Sequence, residues 1–186
     1  SAPALMIWKK VNTTSDWSVY HKDLGLGHGL YLNTASNKND TSLWGTGPTT
    51  TNFPAHTAFN LVGEEYVAYL FADNPSNQIE CGTYTGTGTD QTTNSASTST
   101  SLDFDPEWLL VKNIDSNDSD WCIVDTTRGS LNQLVTNDNR AESNTISTPH
   151  GLALFGGHFQ AYGSSVDHNK SGDNYIYMAI GSPRET

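Results

Sequence analysis

Leu5-Met-Ile-Trp-Lys-Lys-Val11 followed by Asp16-Trp17-Ser-Val-Tyr20, and Trp108-Leu-Leu-Val-Lys-Asn-Ile114 followed by Asp120-Trp121-Cys-Ile-Val124, are the stretches that decide the fold. Each block is short, rich in β-branched and aromatic residues, and bounded by Asn, Asp, Ser or Gly, which is the signature of a strand. The links Asn12–Asp16 and Asp115–Ser119 carry the Asp, Asn and Ser of hairpin loops. In Trp17-Ser-Val-Tyr20, residues two apart share a face, so Trp17 and Val19 are expected inside and Ser18 and Tyr20 partly wet; Trp121 and Ile123 repeat the arrangement.

Outward from these hairpins the match continues in order. Leu30-Tyr-Leu-Asn33 answers to Gln133-Leu-Val-Thr136, and Tyr66-Val-Ala-Tyr-Leu-Phe-Ala72 to Tyr175-Ile-Tyr-Met-Ala-Ile180. The offset is 103 from Trp8 to Val111, 104 from Trp17 to Trp121 and 109 from Tyr66 to Tyr175, a drift that small loop insertions produce. A fixed-period match of this kind predicts two tandem repeats, residues 1–76 and 77–186, packed as one unit, with a Ser/Thr-rich loop at 89–101 in the second. Both closing strands are apolar on both faces and are expected to lie centrally, covered above and below. The predicted fold class is all-β: an antiparallel β-sandwich, jelly-roll-like, built from two homologous tandem repeats.

Composition agrees with many short strands. The apolar share is 35%, below the roughly 45–50% of an average domain. Five Trp, eight Tyr and six Phe argue against disorder, which requires few aromatics. The net charge of −11 repels phosphate backbones, so nucleic acid is excluded as a partner class. It suits a salty medium and ordinary solubility equally. No apolar run is long enough for a membrane span, so no membrane insertion is expected. The chain begins without Met, the expected mark of a processed, tagged or partial chain.

The candidates for chemistry are weak. Cys81 and Cys122 cannot make a disulfide framework and read as small buried hydrophobes. His21, His28, His56, His150, His158 and His168 never fall at metal-ligand spacing. Asp115-Ser-Asn-Asp-Ser-Asp120 offers oxygen ligands but lacks the Gly and Glu of a full calcium loop, and reads as a hairpin tip. Gly82-Thr-Tyr-Thr-Gly-Thr-Gly88 has no helix after it and reads as a turn rather than a phosphate loop. The segment Thr83–Ser101 is too polar to bury and is expected to be an exposed loop or strand edge. Asp103, Asp105 and Glu107 alternate on one face, as a solvated strand does; as paired carboxylates they are the only candidates for a glycoside hydrolase. Tyr31, Trp44 and Tyr162 sit beside polar residues where rings can stack on sugars, yet aromatic residues at strand spacing more often fill a core. No catalytic, cofactor or metal residue is assigned, and the expectation is a protein that is not an enzyme.

Trp17-Ser-Val-Tyr-His-Lys-Asp-Leu-Gly25, Tyr66–Ala72, Gly82–Gly88, Trp108-Leu-Leu-Val-Lys112 and Tyr175–Ile180, taken together, resemble an uncharacterised two-repeat domain of tail-fibre and virion proteins of marine and cyanobacterial phages. The resemblance runs from about Pro3 to about Pro183. It implies a virion location, a part in tail or particle architecture, and contact with the host surface. Partners would then be other virion proteins, copies of the same chain in a homo-oligomer, or a host-surface glycan. Two departures accompany it. The family's usual Tyr-x-Gly-x-Gly strand is missing before the first repeat, so an upstream segment or a partner would supply it. The stretch Asp90–Ser101 is also longer and richer in Ser and Thr. The alternative reading is a secreted carbohydrate-binding adhesin module.

Overall fold

The computed structural model describes residues 1–40, 44–53, 56, 60–89, 98–129, 131–144 and 151–184. In chain order the strands are β1 (Pro3–Lys10), β2 (Ser18–His21), β3 (His28–Tyr31), β4 (Asn39–Asp40), β5 (Tyr66–Ala72), β6 (Ile79–Thr85), β7 (Thr98–Ser101), β8 (Asp105–Asn113), β9 (Trp121–Asp125), β10 (Asn132–Val135), β11 (Ser143–Asn144), β12 (Gly151–Phe155), β13 (His158–Tyr162) and β14 (Asn174–Ser182). Every pairing between them is antiparallel. The fold is therefore all-β, with a five-stranded sheet ordered β4-β3-β2-β1-β5, a six-stranded sheet ordered β11-β10-β9-β8-β14-β6, and a three-stranded sheet ordered β12-β13-β7. Among the described residues no helix is long and apolar enough to cross a membrane.

The alternation of each strand sends its apolar residues into two separate interiors. Leu5, Val19 and Leu30 of the five-stranded sheet meet Cys81, Leu110, Trp121, Ile176 and Met178 of the six-stranded sheet in one cluster. The opposite face of the six-stranded sheet, with Leu109, Val111, Val124, Tyr175 and Tyr177, meets Leu152, Leu154, Phe159 and Ala161 of the small sheet in another. The six-stranded sheet is thus the middle layer, covered on both faces, and burial of both faces is what lets Trp108–Val111 of β8 and Tyr175–Ile180 of β14 be apolar at successive positions.

The first two sheets share one hydrogen-bond register. Met6 pairs with Tyr20, Trp8 with Ser18 and Lys10 with Tyr66. In the six-stranded sheet Leu109 pairs with Val124, Val111 with Cys122 and Asn113 with Tyr175. The offsets are those of the sequence: 103 from β1 to β8, 104 from β2 to β9 and 109 from β5 to β14. Pairs of β3 with β2 and β4, such as Val19 with Leu30 and His28 with Asp40, recur as Ile123 with Leu134 and Asn132 with Asn144. The register shift after Pro3 is matched by one beside Pro106.

The loops repeat a bonding pattern too. Asn33 Oδ1 accepts the Trp17 N–H at 2.9 Å, and its Nδ2 donates to Asp16 at 2.8 Å. Asn137 does the same for Trp121 at 2.9 Å and Asp120 at 2.8 Å. Each Asn bridges the turn before one strand to the end of a later one, satisfying a backbone donor that has no ladder partner.

Several expectations are corrected. Ser18 and Tyr20 are buried, not wet: Ser18 lies between its strand neighbours Trp8 and Tyr31, and Trp44 and Phe53 from the connection after β4 pack with Met6 against Tyr20. The Tyr20 and Trp44 rings meet edge to face at 5.4 Å between centroids. β5 is not central: it is the edge of its sheet, with Tyr69 49% and Leu70 45% exposed. The glycine run is not a turn at its start, since Gly82-Thr-Tyr-Thr85 is the second half of β6. The glycines are there for close approach: a Cβ at Gly82 would stand 2.6 Å from the Tyr177 hydroxyl, and one at Gly86 2.3 Å from the Lys170 carbonyl oxygen. Of the polar segment expected as an exposed loop or strand edge, Thr98–Ser101 forms the edge strand β7 against β13, as the second alternative has it. Thr98 is buried because its hydroxyl donates to Asn169 Oδ1 at 2.8 Å. Residues 90–97 of that segment lie outside the described residues.

The two large sheets are also joined along a polar seam. Trp121 Nε1 donates to the Tyr31 carbonyl at 2.9 Å, Ser119 N to Ala35 O at 3.2 Å, and Lys38 N to Ile114 O at 3.3 Å. Lys38 forms an ion pair with Asp115 at 3.1 Å. Lys112 is fully buried in this seam and donates to Ser119 O at 2.8 Å, Ser119 Oγ at 2.5 Å and Ala35 O at 3.4 Å. Burial lowers its pKa to about 8, against the opposing pull of Asp167 and Asp120.

Candidate functional site

The five- and six-stranded sheets part at one place, leaving an apolar cleft of about 330 Å³ whose walls include Ile7, Trp17, Leu32, Tyr69, Phe71 and Trp108. Ile7, Tyr69 and Phe71 come to it because they share the inward face of β1 and β5, where Ile7 pairs with Tyr69. Trp17 stands just before β2, held by Asn33, and its ring stacks on Tyr69 at 6.5 Å and 30°. The Lys9 ammonium lies 5.8 Å from the Trp17 ring centre, a cation–π contact. Trp17 is only half-buried, whereas its counterpart Trp121 is 1% exposed. The cleft therefore offers aromatic faces and almost no hydrogen-bonding groups, an arrangement suited to covering by another apolar surface.

The cleft adjoins β5, which is an edge strand among the described residues. Of the seven large apolar side chains exposed among the described residues, Tyr69 and Leu70 lie on β5, on opposite faces of the strand, and Val11, Leu61 and Val62 lie on the segments next to its start. Val11 N donates to Glu65 O at 2.9 Å and Leu61 N to Tyr66 Oη at 3.4 Å, so these flanks are tied to the start of β5.

The residues singled out in the sequence are elsewhere. Asp103 and Glu107 are exposed and Asp105 half-buried, since Leu102, Phe104 and Pro106 take the inward positions between them. Their carboxylates thus sit on a solvated face beside Phe155 and Gly156, and Asp105 and Glu107 edge a shallow groove. The 115–120 loop is a hairpin tip in which side-chain oxygens of Asp115, Asn117 and Asp120 accept hydrogen bonds from within the chain. Asp115 accepts from Asn174 N and Nδ2 at 2.8 Å, and Ser116 donates to Asp173. Burial raises the Asp115 pKa, but the bonds from Asn174 and Lys38 outweigh it and hold the carboxyl below its usual range. Asp120 is taken up by Asn137 and Arg140. No group of three or more His, Cys, Asp or Glu is placed to hold a metal ion among the described residues.

Both cysteines are free and buried, on opposite faces of the six-stranded sheet, Cys81 in one interior and Cys122 in the other. Burial pushes the Cys81 thiol up to about 12, so it holds its proton. His21 is fully buried: Nε2 donates to Tyr177 O at 3.1 Å across the two sheets, and Nδ1 accepts from Asp23 N at 3.2 Å. Burial lowers its pKa despite those partners. His168 is buried and His28 and His158 are partly so, His56 is exposed, and His150 lies outside the described residues. Of the three aromatics considered for sugar contact, Trp44 and Tyr162 are core, with Trp44 Nε1 donating to His28 O at 2.8 Å. Tyr31 keeps surface in a polar groove with Trp8, Lys10, Asp16 and Tyr66. Trp17, Tyr69 and Trp108 were not singled out for binding by their sequence positions; a both-face apolar strand at a sheet edge was the signal for Tyr69, and only topology tells an edge from a centre.

The family model for the domain of unknown function DUF7483 matches residues 1–183, and the chain belongs to that family. No curated protein and no solved structure matches it.

Proposed function

We propose that the chain is a structural module of a bacteriophage particle, in a tail fibre or on the particle surface, built as a β-sandwich by tandem duplication and acting through surface contacts rather than through a reaction. The duplication is supported by the shared register of the two large sheets and by the twin Asp-Trp…Asn bridges. The open orders of the sheets favour a layered sandwich over a jelly roll. The particle location rests on the sequence resemblance. The observation that carries the contact role is the apolar cleft lined by Trp17, Tyr69, Phe71 and Trp108 beside β5, an edge strand with exposed apolar side chains on both of its faces.

Density-gradient fractionation of lysates carrying the gene, followed by mass spectrometry, tests this reading. The chain is expected to travel with intact particles at fixed stoichiometry. Recovery only in the soluble fraction would overturn it.

A further inference from the structure

β14 and β5 hold equivalent places in their sheets, yet among the described residues only β14 of the two is paired on both sides. Its outer neighbour is β6, in the register Tyr175 to Tyr84, Ile176 to Thr83, Tyr177 to Gly82, Met178 to Cys81 and Ile180 to Ile79. The corresponding β5 residues, Tyr66, Val67, Ala68, Tyr69 and Phe71, have β1 on one side and no strand on the other among the described residues. Alternate N–H and C=O groups of β5 therefore point away from the sheet, as at any edge. Tyr66–Ala72 has none of the features that keep edges from pairing: no charged residue, no Pro, and no bulge opposite its exposed centre at Tyr69 and Leu70.

We propose that the outer edge of β5 is a strand-acceptor site, taking an antiparallel extended segment of a partner with the chemistry of β6. The partner strand would place an aromatic residue beside Tyr66, as Tyr84 stacks on Tyr175 at 4.9 Å and 7°. Opposite Tyr69 it would place a small apolar residue, as Cys81 lies opposite Met178. Opposite Ala68, where the equivalent Tyr177 demands Gly82, a larger side chain fits. Its inward side chains would lie beside Tyr69 and Phe71 at the rim of the cleft, covering apolar surface in addition to the ladder hydrogen bonds. This inference stands on the sheet edge and does not need the particle location.

The test is amide exchange by NMR on the whole chain, with a synthetic peptide of the sequence Gln78–Gly88 carrying Cys81→Ser as the probe. Saturable shifts and slowed exchange are expected at the outward amides of Val67–Phe71, and both should vanish in a Tyr69→Lys/Leu70→Lys variant with an unchanged far-UV spectrum. Should that variant lose its native spectrum, Leu70→Lys alone serves. No slowing up to the peptide's solubility limit would overturn the proposal. So would slowing that survives the substitutions, changes confined to Tyr175–Ile180, or protection of β5 without peptide that grows with protein concentration, which would mean self-pairing.

Discussion

Asn33 and Asn137 make the same two hydrogen bonds, but in different surroundings, and the difference sets what each is worth. The Asn137 bond to Trp121 N is partly buried and the Asn33 bond to Trp17 N is exposed. A donor left unmet away from water costs about 1–3 kcal/mol, whereas an exposed one finds solvent. Asn137→Ala is therefore expected to lower stability by about that amount and Asn33→Ala by less, read from urea midpoints at constant slope. His21 gives a pH dependence. Both ring nitrogens are committed, Nε2 as donor to Tyr177 and Nδ1 as acceptor from Asp23, so the native ring is neutral. Its folded pKa is depressed, so below an unfolded value of about 6.5 the unfolded chain binds the extra proton, and stability falls as pH falls. The slope from this one group is at most about 1.4 kcal/mol per pH unit. Melting temperatures between pH 7.5 and 5, compared with those of His21→Gln, isolate it: the variant is expected to lose part of the acid sensitivity. The twin Asp-Trp pairs were visible in the sequence from their spacing of 104. The Asn that completes each bridge was not, because its role depends on a strand end that folding brings beside the turn.

At the scale of elements, equivalent strands meet opposite fates. Leu70 of β5 and Ala179 of β14 occupy the same register position, one 45% exposed and the other fully buried. Leu70→Lys is expected to change stability by no more than about 1 kcal/mol, while Ala179→Lys, which forces a charge into a packed interior, should prevent folding. Circular dichroism and thermal melts of the two variants decide this. The strand blocks around Trp8, Trp17, Trp108 and Trp121 were legible because their alternation and bounding residues are strong. The polar strand β7 was not, since Thr98-Ser-Thr-Ser101 carries no apolar alternation and is a strand only through pairing with β13. The β12–β13 hairpin around Gly156-Gly157 went unread, although paired glycines between apolar runs are a turn signal. Centrality was misjudged for β5 because apolarity on both faces is the same pattern whether cover comes from within the chain or from a partner.

For the whole molecule, the apolar interior common to both large sheets and the seam from Tyr31 to Lys38 make the two halves interdependent. A single cooperative unfolding transition is expected, with tryptophan fluorescence and far-UV dichroism coincident; separate transitions would mean the halves fold alone. The strand register of the two large sheets follows the offsets of 103, 104 and 109 seen in the sequence, whereas the three-layer stacking was not legible, because which sheet faces which depends on the covering connections. Two sheets of one register differ, among the described residues, in whether the closing strand is paired on its outer side. Residue-by-residue hydrogen exchange of the unliganded chain tests this most directly. Amides of Tyr175–Ile180 should all exchange slowly, while those of Tyr66–Phe71 alternate between slow and fast; uniform protection along β5, or alternation along β14, would contradict it.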